Sequence, residues 1–175
     1  MRIALAGTHW SGKTTILNLL DGTKIKEQAR ALISELGNPK DMNDKERANF
    51  QQVLLARQIR AELSMGNDFI SDRSVYDILA YSLDCKNTDD IESQAKFYVA
   101  NNPYDLIFYF PIEFEMEKDG VRPEDEKYRE LIDLRIRTFA KNYITITGTV
   151  EERLEKIRAE IRKYESKNRK KTQIG

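Results

Sequence analysis

The chain has 175 residues, enough for one domain with a sizeable core and too few for two well-developed ones. Its 29 Lys plus Arg balance 29 Asp plus Glu, so no overall field draws it to nucleic acid or membrane and only a local basic patch could do so. A lone cysteine, Cys85, excludes an internal disulfide. No signal-like segment opens the chain and no apolar run approaches the roughly 18 residues of a membrane helix, so a cytoplasmic protein without a membrane partner is expected.

Residues 2–6 are a short apolar run stopped by Gly7, the pattern of a strand buried on both faces of a parallel sheet. Residues 13–20 carry Ile16, Leu17, Leu19 and Leu20 at helical spacing and close at Asp21-Gly22. A second short strand is expected at 23–26, then a helix through Ala29, Leu32, Ile33 and Leu36 that stops at Gly37-Asn38-Pro39. Residues 44–65 predict a long amphipathic helix, whose stripe from Phe50 to Leu63 faces either the sheet or a second copy of the chain, leaving a homodimer open. Strands at 68–71, 106–110 and 143–146 alternate with helices at 75–82, 91–101, 128–141 and 150–164. The alternation predicts one α/β domain over residues 1–175: a parallel sheet of about five strands with helices on both faces, joined by right-handed crossovers. The charged stretch 112–127 reads as a lid, and 167–175, which contains Asn168-Arg169-Lys170-Lys171-Thr172, as a frayed tail.

Gly7-Thr8-His9-Trp10-Ser11-Gly12-Lys13-Thr14 fits G-x4-G-K-[ST] without a mismatch, between a predicted strand and a predicted helix. Glycines let the backbone turn its N–H groups into a nest for phosphate oxygens, and the following helix aims its positive end at the same point. Gly7, Ser11 and Gly12 build the loop, with His9 and Trp10 at its variable positions. Lys13 supplies a mobile charge for the β- and γ-phosphates, Thr14 a hydroxyl for Mg2+, and Thr15 a hydroxyl near the α-phosphate, so ATP and Mg2+ are the expected ligands. His9 is the single histidine, and with only one cysteine in the chain a metal site around it cannot be completed.

Four further groups gain meaning beside that loop. Asp72-Arg73-Ser74 follows a strand expected to lie next to the first one; Asp72 reads as a Mg2+ or substrate ligand and Arg73 as a neutraliser of phosphate, or Asp72 or Ser74 as a helix N-cap. Glu27, past the second strand, reads as the acceptor of a substrate hydroxyl's proton or as a carboxylate favoured at a helix start. Arg122, in Asp119-Gly120-Val121-Arg122-Pro123, and Arg129 read as lid arginines that close over phosphates, against the alternative of a solvated turn. Gly148-Thr149-Val150, after the last strand, are positioned to frame the nucleotide base.

With these residues placed, the chain resembles the AAA-type P-loop kinases related to the ribosylnicotinamide kinase domain of the bacterial NAD regulator, and is similar to deoxynucleoside and thymidylate kinases. The resemblance rests on the loop, Glu27-Gln28-Ala29-Arg30, Asp72-Arg73-Ser74-Val75-Tyr76-Asp77, Pro103-Tyr104-Asp105 and Asp119-Gly120-Val121-Arg122. It implies a P-loop NTPase fold and transfer of the γ-phosphoryl group of Mg-ATP to a nucleoside, a nucleotide or a related small molecule. Lys13, Glu27, Asp72, Arg73 and Arg122 would carry the chemistry and Arg129 would grip phosphate. Compact relatives also occur in bacteriophages, where the host cytoplasm is the site and a hydroxymethylated base or hydroxyl in DNA is the alternative acceptor. A nucleotide-binding ATPase switch is the competing class. No Asn-Lys-x-Asp run signals guanine recognition, and Tyr109-Phe110-Pro111 ends its strand without the paired acids of a motor.

Overall fold

A computed structural model describes residues 1–86, 89–115 and 125–172. Arg122 and most of the expected 112–127 lid lie outside these residues. In chain order the elements are β1 (Arg2–Ala6), α1 (Lys13–Leu19), β2 (Lys24–Ile25), α2 (Gln28–Leu36), α3 (Asp44–Ser64) and β3 (Phe69–Asp72). There follow α4 (Val75–Ser82), α5 (Asp89–Asn101), β4 (Leu106–Tyr109), α6 (Glu126–Phe139), β5 (Ile144–Thr145) and α7 (Val150–Thr172). The expected α/β architecture is present. A 3-10 turn at Pro39–Asp41, which periodicity alone does not reveal, carries the chain from α2 to α3.

The five strands are parallel in the order β2-β3-β1-β4-β5. From β1 the chain runs first to one side, through β2 and β3, and later to the other, through β4, so the crossover direction reverses at the carboxyl end of β1. Open α/β sheets bind their ligands in the crevice at such a point.

Alternation along β1 sends its two kinds of side chain to different layers. Ile3 and Leu5 join Ile16 and Leu17 of α1 and Ile157 of α7 in one core cluster, whereas Ala6 joins Ile132 and Ile136 of α6 in another. A third cluster is almost wholly helical: Leu32, Phe50, Leu54, Leu55, Ile78, Leu79 and Tyr98 from α2 to α5. The α3 stripe is therefore buried inside this chain, although Leu63 at its end is exposed.

Caps set the helix entries. Asn43 Oδ1 accepts from the Lys45 and Glu46 N–H groups while Glu46 Oε2 accepts from the Asn43 N–H, a complete capping box at α3. Ser74 and Asp77 form a second such box at α4. Helix α7 continues to Thr172, eight residues beyond the expected end at 164 and through most of the expected frayed tail. Lysines and arginines there are good helix formers, and two polar ties hold the preceding turns of α7: the Tyr164 hydroxyl donates to the Asp105 carboxylate before β4, and Arg158 Nη2 donates to the Leu19 carbonyl at the end of α1.

A polar network anchors α3 at the opposite end of the sheet from the loop. Arg2 at the start of β1 pairs with Glu62 at 3.0 Å, and Glu62 also accepts from Gln58, Tyr98 and Tyr104. Tyr104 in turn accepts from the Val75 N–H at 3.0 Å, so the network reaches the first turn of α4.

Candidate active site

The loop after β1 closes over the carboxyl end of the sheet because two of its residues have no side chain to obstruct it. A Cβ on Gly7 would stand 2.5 Å from the Phe110 carbonyl oxygen, and one on Gly12 would stand 3.1 Å from Nη1 of Arg153. Gly12 (φ 82°) and Trp10 (φ 60°) take left-handed backbone angles, which turn successive peptides within a few residues. Helix α1 begins at Lys13 with no side-chain cap, so its first N–H groups are left for another acceptor.

Lys13 folds back over this loop. Its Nζ donates to the Thr8 carbonyl at 2.5 Å and to Ser11 Oγ at 2.9 Å, and Ser11 Oγ donates to the same carbonyl at 2.9 Å. Burial, and after it the Arg73 charge, pull the Lys13 ammonium down to about 8, against the carboxylates of Asp72, Asp77 and Glu27. Next along α1, Thr14 Oγ1 donates to Asp72 Oδ2 at 2.5 Å. The parallel register sets Asp72 opposite Leu5, so β3 delivers the carboxylate beside the loop, as its sequence position implies. Thr15 is exposed on the next position of the helix.

Glu27, the N-cap residue of α2, makes no cap hydrogen bond and instead accepts from Arg73 Nε at 2.7 Å. Arg73 is held at φ 84°, outside the ordinary right-handed range, and its Nη1 also reaches the Gly7 carbonyl at 3.4 Å and Asp77 at 3.7 Å. Burial disfavours the guanidinium charge, yet Glu27, Tyr81 and Asp77 outweigh it and raise its proton affinity, so Arg73 stays a permanent cation.

Of the two sequence readings of the Asp72-Arg73-Ser74 block, the α4 helix cap falls to Ser74, and Asp72 is left to face Thr14 and the loop. A second acid follows at Asp77, for which the sequence supplied no function. It is fully buried, and it accepts from the Gly7 N–H at 3.0 Å and from Ser74 N–H and Oγ at 2.9 and 2.5 Å. Asp77 thus ties the first loop residue to the α4 cap. Burial pushes its carboxyl upward while Arg73 and Lys13 oppose. Its sequence signal was the Ser-x-x-Asp spacing.

Other expected residues have backbone or pocket-side partners. Arg129 is buried on α6, where Nη1 donates to the Phe114 carbonyl at 2.8 Å and Nη2 to the Trp10 carbonyl at 3.1 Å, so it grips the phosphate loop's own backbone. His9 is buried with Nδ1 3.0 Å from the Tyr81 hydroxyl, on the side away from α1. Gly148 (φ 96°) donates from its N–H to Glu113 at 3.4 Å, and the Thr149 N–H donates to Glu152 at 2.8 Å, opening α7 at Val150.

Beside Glu27 and Arg73 lies a cavity of about 400 Å3, which runs past His9 to Phe50, Gln51 and Tyr128. Its lining is mainly apolar. Gln51 on α3 is 6% exposed, and its Oε1 has no hydrogen-bond partner among the described residues; one turn earlier, Arg47 Nε is likewise buried and unpaired. A buried acceptor and a buried donor left unpaired are costly unless a ligand or an ordered water completes them. Periodicity could place Gln51 on the buried face of α3 but not against this cavity. No group of three or more His, Cys, Asp or Glu side chains able to hold a metal occurs among the described residues.

Solved structures share this fold. Deoxyadenosine kinase from M. mycoides with bound dCTP is 21% identical, with a TM-score of 0.63 over 93% of this chain and 100% of that one. The same enzyme with products dCMP and a flexible dCDP bound is 20% identical, with a TM-score of 0.62 over the same shares. At that identity the likeness shows the P-loop NTPase fold. No curated protein matches the sequence. No helix among the described residues is long and apolar enough to cross a membrane. A family model described as an AAA domain matches residues 2–153, the span from β1 to the first turn of α7, and the chain belongs to that family.

Proposed function

We propose that this protein is an ATP-dependent kinase that phosphorylates a hydroxyl group of a free nucleoside. The observation that carries the reading is the cavity itself: Glu27 and Arg73 stand at the phosphate-loop end, and the unpaired Gln51 Oε1 stands within the same enclosure. A space of about 400 Å3 falls within the range for small-molecule pockets. Its apolar walls suit a base, the Gln51 carboxamide can accept from a base N–H, and Glu27 faces a sugar hydroxyl better than a phosphate, which it would repel. Enclosure by α2, α3 and α4 favours a free nucleoside over a DNA strand.

In this reading the β- and γ-phosphates of ATP sit in the N–H nest, and Lys13 exchanges its Thr8 and Ser11 contacts for phosphate oxygens. Thr14 Oγ1 and Asp72 Oδ2, hard oxygen donors 2.5 Å apart on adjoining elements, are the residues that would hold Mg2+. When bound, that ion supplies charge neutralisation on the phosphate oxygens. Glu27 takes the hydroxyl proton as the acceptor oxygen attacks the γ-phosphorus and the bond to the β–γ bridging oxygen breaks, releasing ADP. Arg73 holds Glu27 in place, and its own fixed charge offsets the charge on the transferring group.

Coupled ADP release with Mg-ATP should require one nucleoside of a panel that also includes nucleoside monophosphates and hydroxymethyluracil-containing DNA. Glu27→Gln should lower kcat about 100-fold or more with nucleotide affinity retained, and Gln51→Leu should raise KM for the preferred nucleoside about 10-fold. ADP release indifferent to every acceptor would instead identify an ATPase.

A further inference from the structure

Helix α7 is rich in charged residues, yet Arg153 in its first turn is 2% exposed and lies directly behind the phosphate loop. Its Nη1 donates to the Ser11 carbonyl at 2.8 Å, its Nε to the Gly148 carbonyl at 2.8 Å, and its Nη2 pairs with Glu113. The guanidinium carbon is 4.9 Å from the Phe114 ring centroid and 5.6 Å from that of Phe110. Gly12 presents bare backbone to the same group, since a Cβ there would meet Nη1 at 3.1 Å.

A trans peptide points its C=O and the following N–H in opposite directions. Holding the Ser11 carbonyl on the α7 side therefore turns the Gly12 N–H away from α7. Arg129, bonded to the Trp10 carbonyl, does the same for the Ser11 N–H one peptide earlier. Gly12, at φ 82°, leaves the Ser11–Gly12 peptide free to flip unless something outside the loop holds it. We infer that Arg153 is a positioning residue for the phosphate nest: by gripping the Ser11 carbonyl it fixes the Gly12 N–H as a phosphate donor, without touching the nucleotide itself. The inference rests on the nucleotide-binding reading of the loop but not on phosphoryl transfer.

Trp10, the chain's single tryptophan, lies in the loop and reports ligand binding by its fluorescence. Mg-ADP and pyrophosphate are titrated into the full-length protein and into Arg153→Met, Arg153→Lys and Glu113→Gln, with far-UV circular dichroism as the control for folding. Arg153→Met should weaken both ligands at least 10-fold. Arg153→Lys, able to reach the Ser11 carbonyl but not all three partners, should recover part of the loss, and Glu113→Gln should stay within about 3-fold of wild type. If Arg153→Met does not fold, the lysine variant decides, with a loss of 3-fold or more expected for both ligands. Weakening confined to Mg-ADP would overturn the inference, because pyrophosphate has no base and the effect would then come through Gly148. Unchanged affinity for both in a folded variant would overturn it equally. A wild type that binds Mg-ADP yet phosphorylates no acceptor would sink the kinase reading and leave this one standing.

Discussion

Lys13 sits where its charge is easily lost. Burial and the neighbouring Arg73 hold its pKa near 8, and a bound phosphate, replacing carbonyl and hydroxyl partners with anionic oxygens, must raise it. The sign follows by linkage. Below about pH 8 the free protein already carries the ammonium; above it, a proton must be taken up on binding, so affinity falls as pH rises through that value. The dissociation constant for Mg-ADP, read from Trp10 fluorescence between pH 7 and 9.5, should be nearly flat at first and then rise by up to roughly tenfold per pH unit. Lys13→Met should bind weakly at every pH and lose that slope. A flat wild-type profile up to pH 9.5 would mean the ammonium is not poised in this way. The lysine itself was evident from the motif, but its depressed proton affinity was not, because that depends on Arg73 arriving from a strand some 60 residues away along the chain.

At the scale of elements, the turn from β1 into the loop is constrained from outside the motif. Gly7 has φ 143° and faces the Phe110 carbonyl, while the Phe110 N–H donates to the Ala6 carbonyl at 2.9 Å, so the two strands cannot part to admit a methyl group. Gly7→Ala should cost about 3 kcal/mol in urea denaturation through strain and overpacking. Gly22→Ala, at φ 107° with open space around its would-be Cβ, carries the backbone strain alone and should cost about 1 kcal/mol. Equal losses in the two variants would show that the Phe110 carbonyl is not the obstacle. The motif's first glycine was legible from the sequence, but the reason for it is the neighbouring strand.

Across the whole molecule, the Arg2 and Glu62 pair joins β1 to the far end of α3, with Tyr98 of α5 and Tyr104 before β4 attached to the same carboxylate. Burial raises the Glu62 carboxyl's proton affinity, and its hydrogen bonds and Arg2 oppose that shift. Arg2→Met should strand a buried charge and cost about 3–5 kcal/mol at pH 7.5. A carboxyl whose folded-state pKa is raised stabilises the folded form as pH falls, because protonation removes the buried charge. The deficit of the variant relative to wild type should therefore narrow at pH 5.5. A deficit that stays constant between the two pH values would point to lost packing of the arginine stem instead.

Several features were local enough to be read along the chain. The strand, loop and helix around Gly7 to Thr14, the alternation that makes a parallel α/β domain, and the placement of Glu27 and Asp72 at strand ends all follow from short-range rules of period, turn chemistry and backbone freedom. What the tertiary structure decided was which distant groups meet. The α7 helix is charged along its length, so nothing in its composition sets Arg153 apart from the arginines around it. Its burial comes from the position of α7 against the loop and from the glycine that leaves room for it. Gln51 likewise stands beside the apolar stripe of α3 and reaches a cavity only because α2 and α4 pack against its helix. Local pattern records the free energy of forming an element, whereas a site is set by contacts between elements far apart in sequence, and those leave no fixed spacing behind.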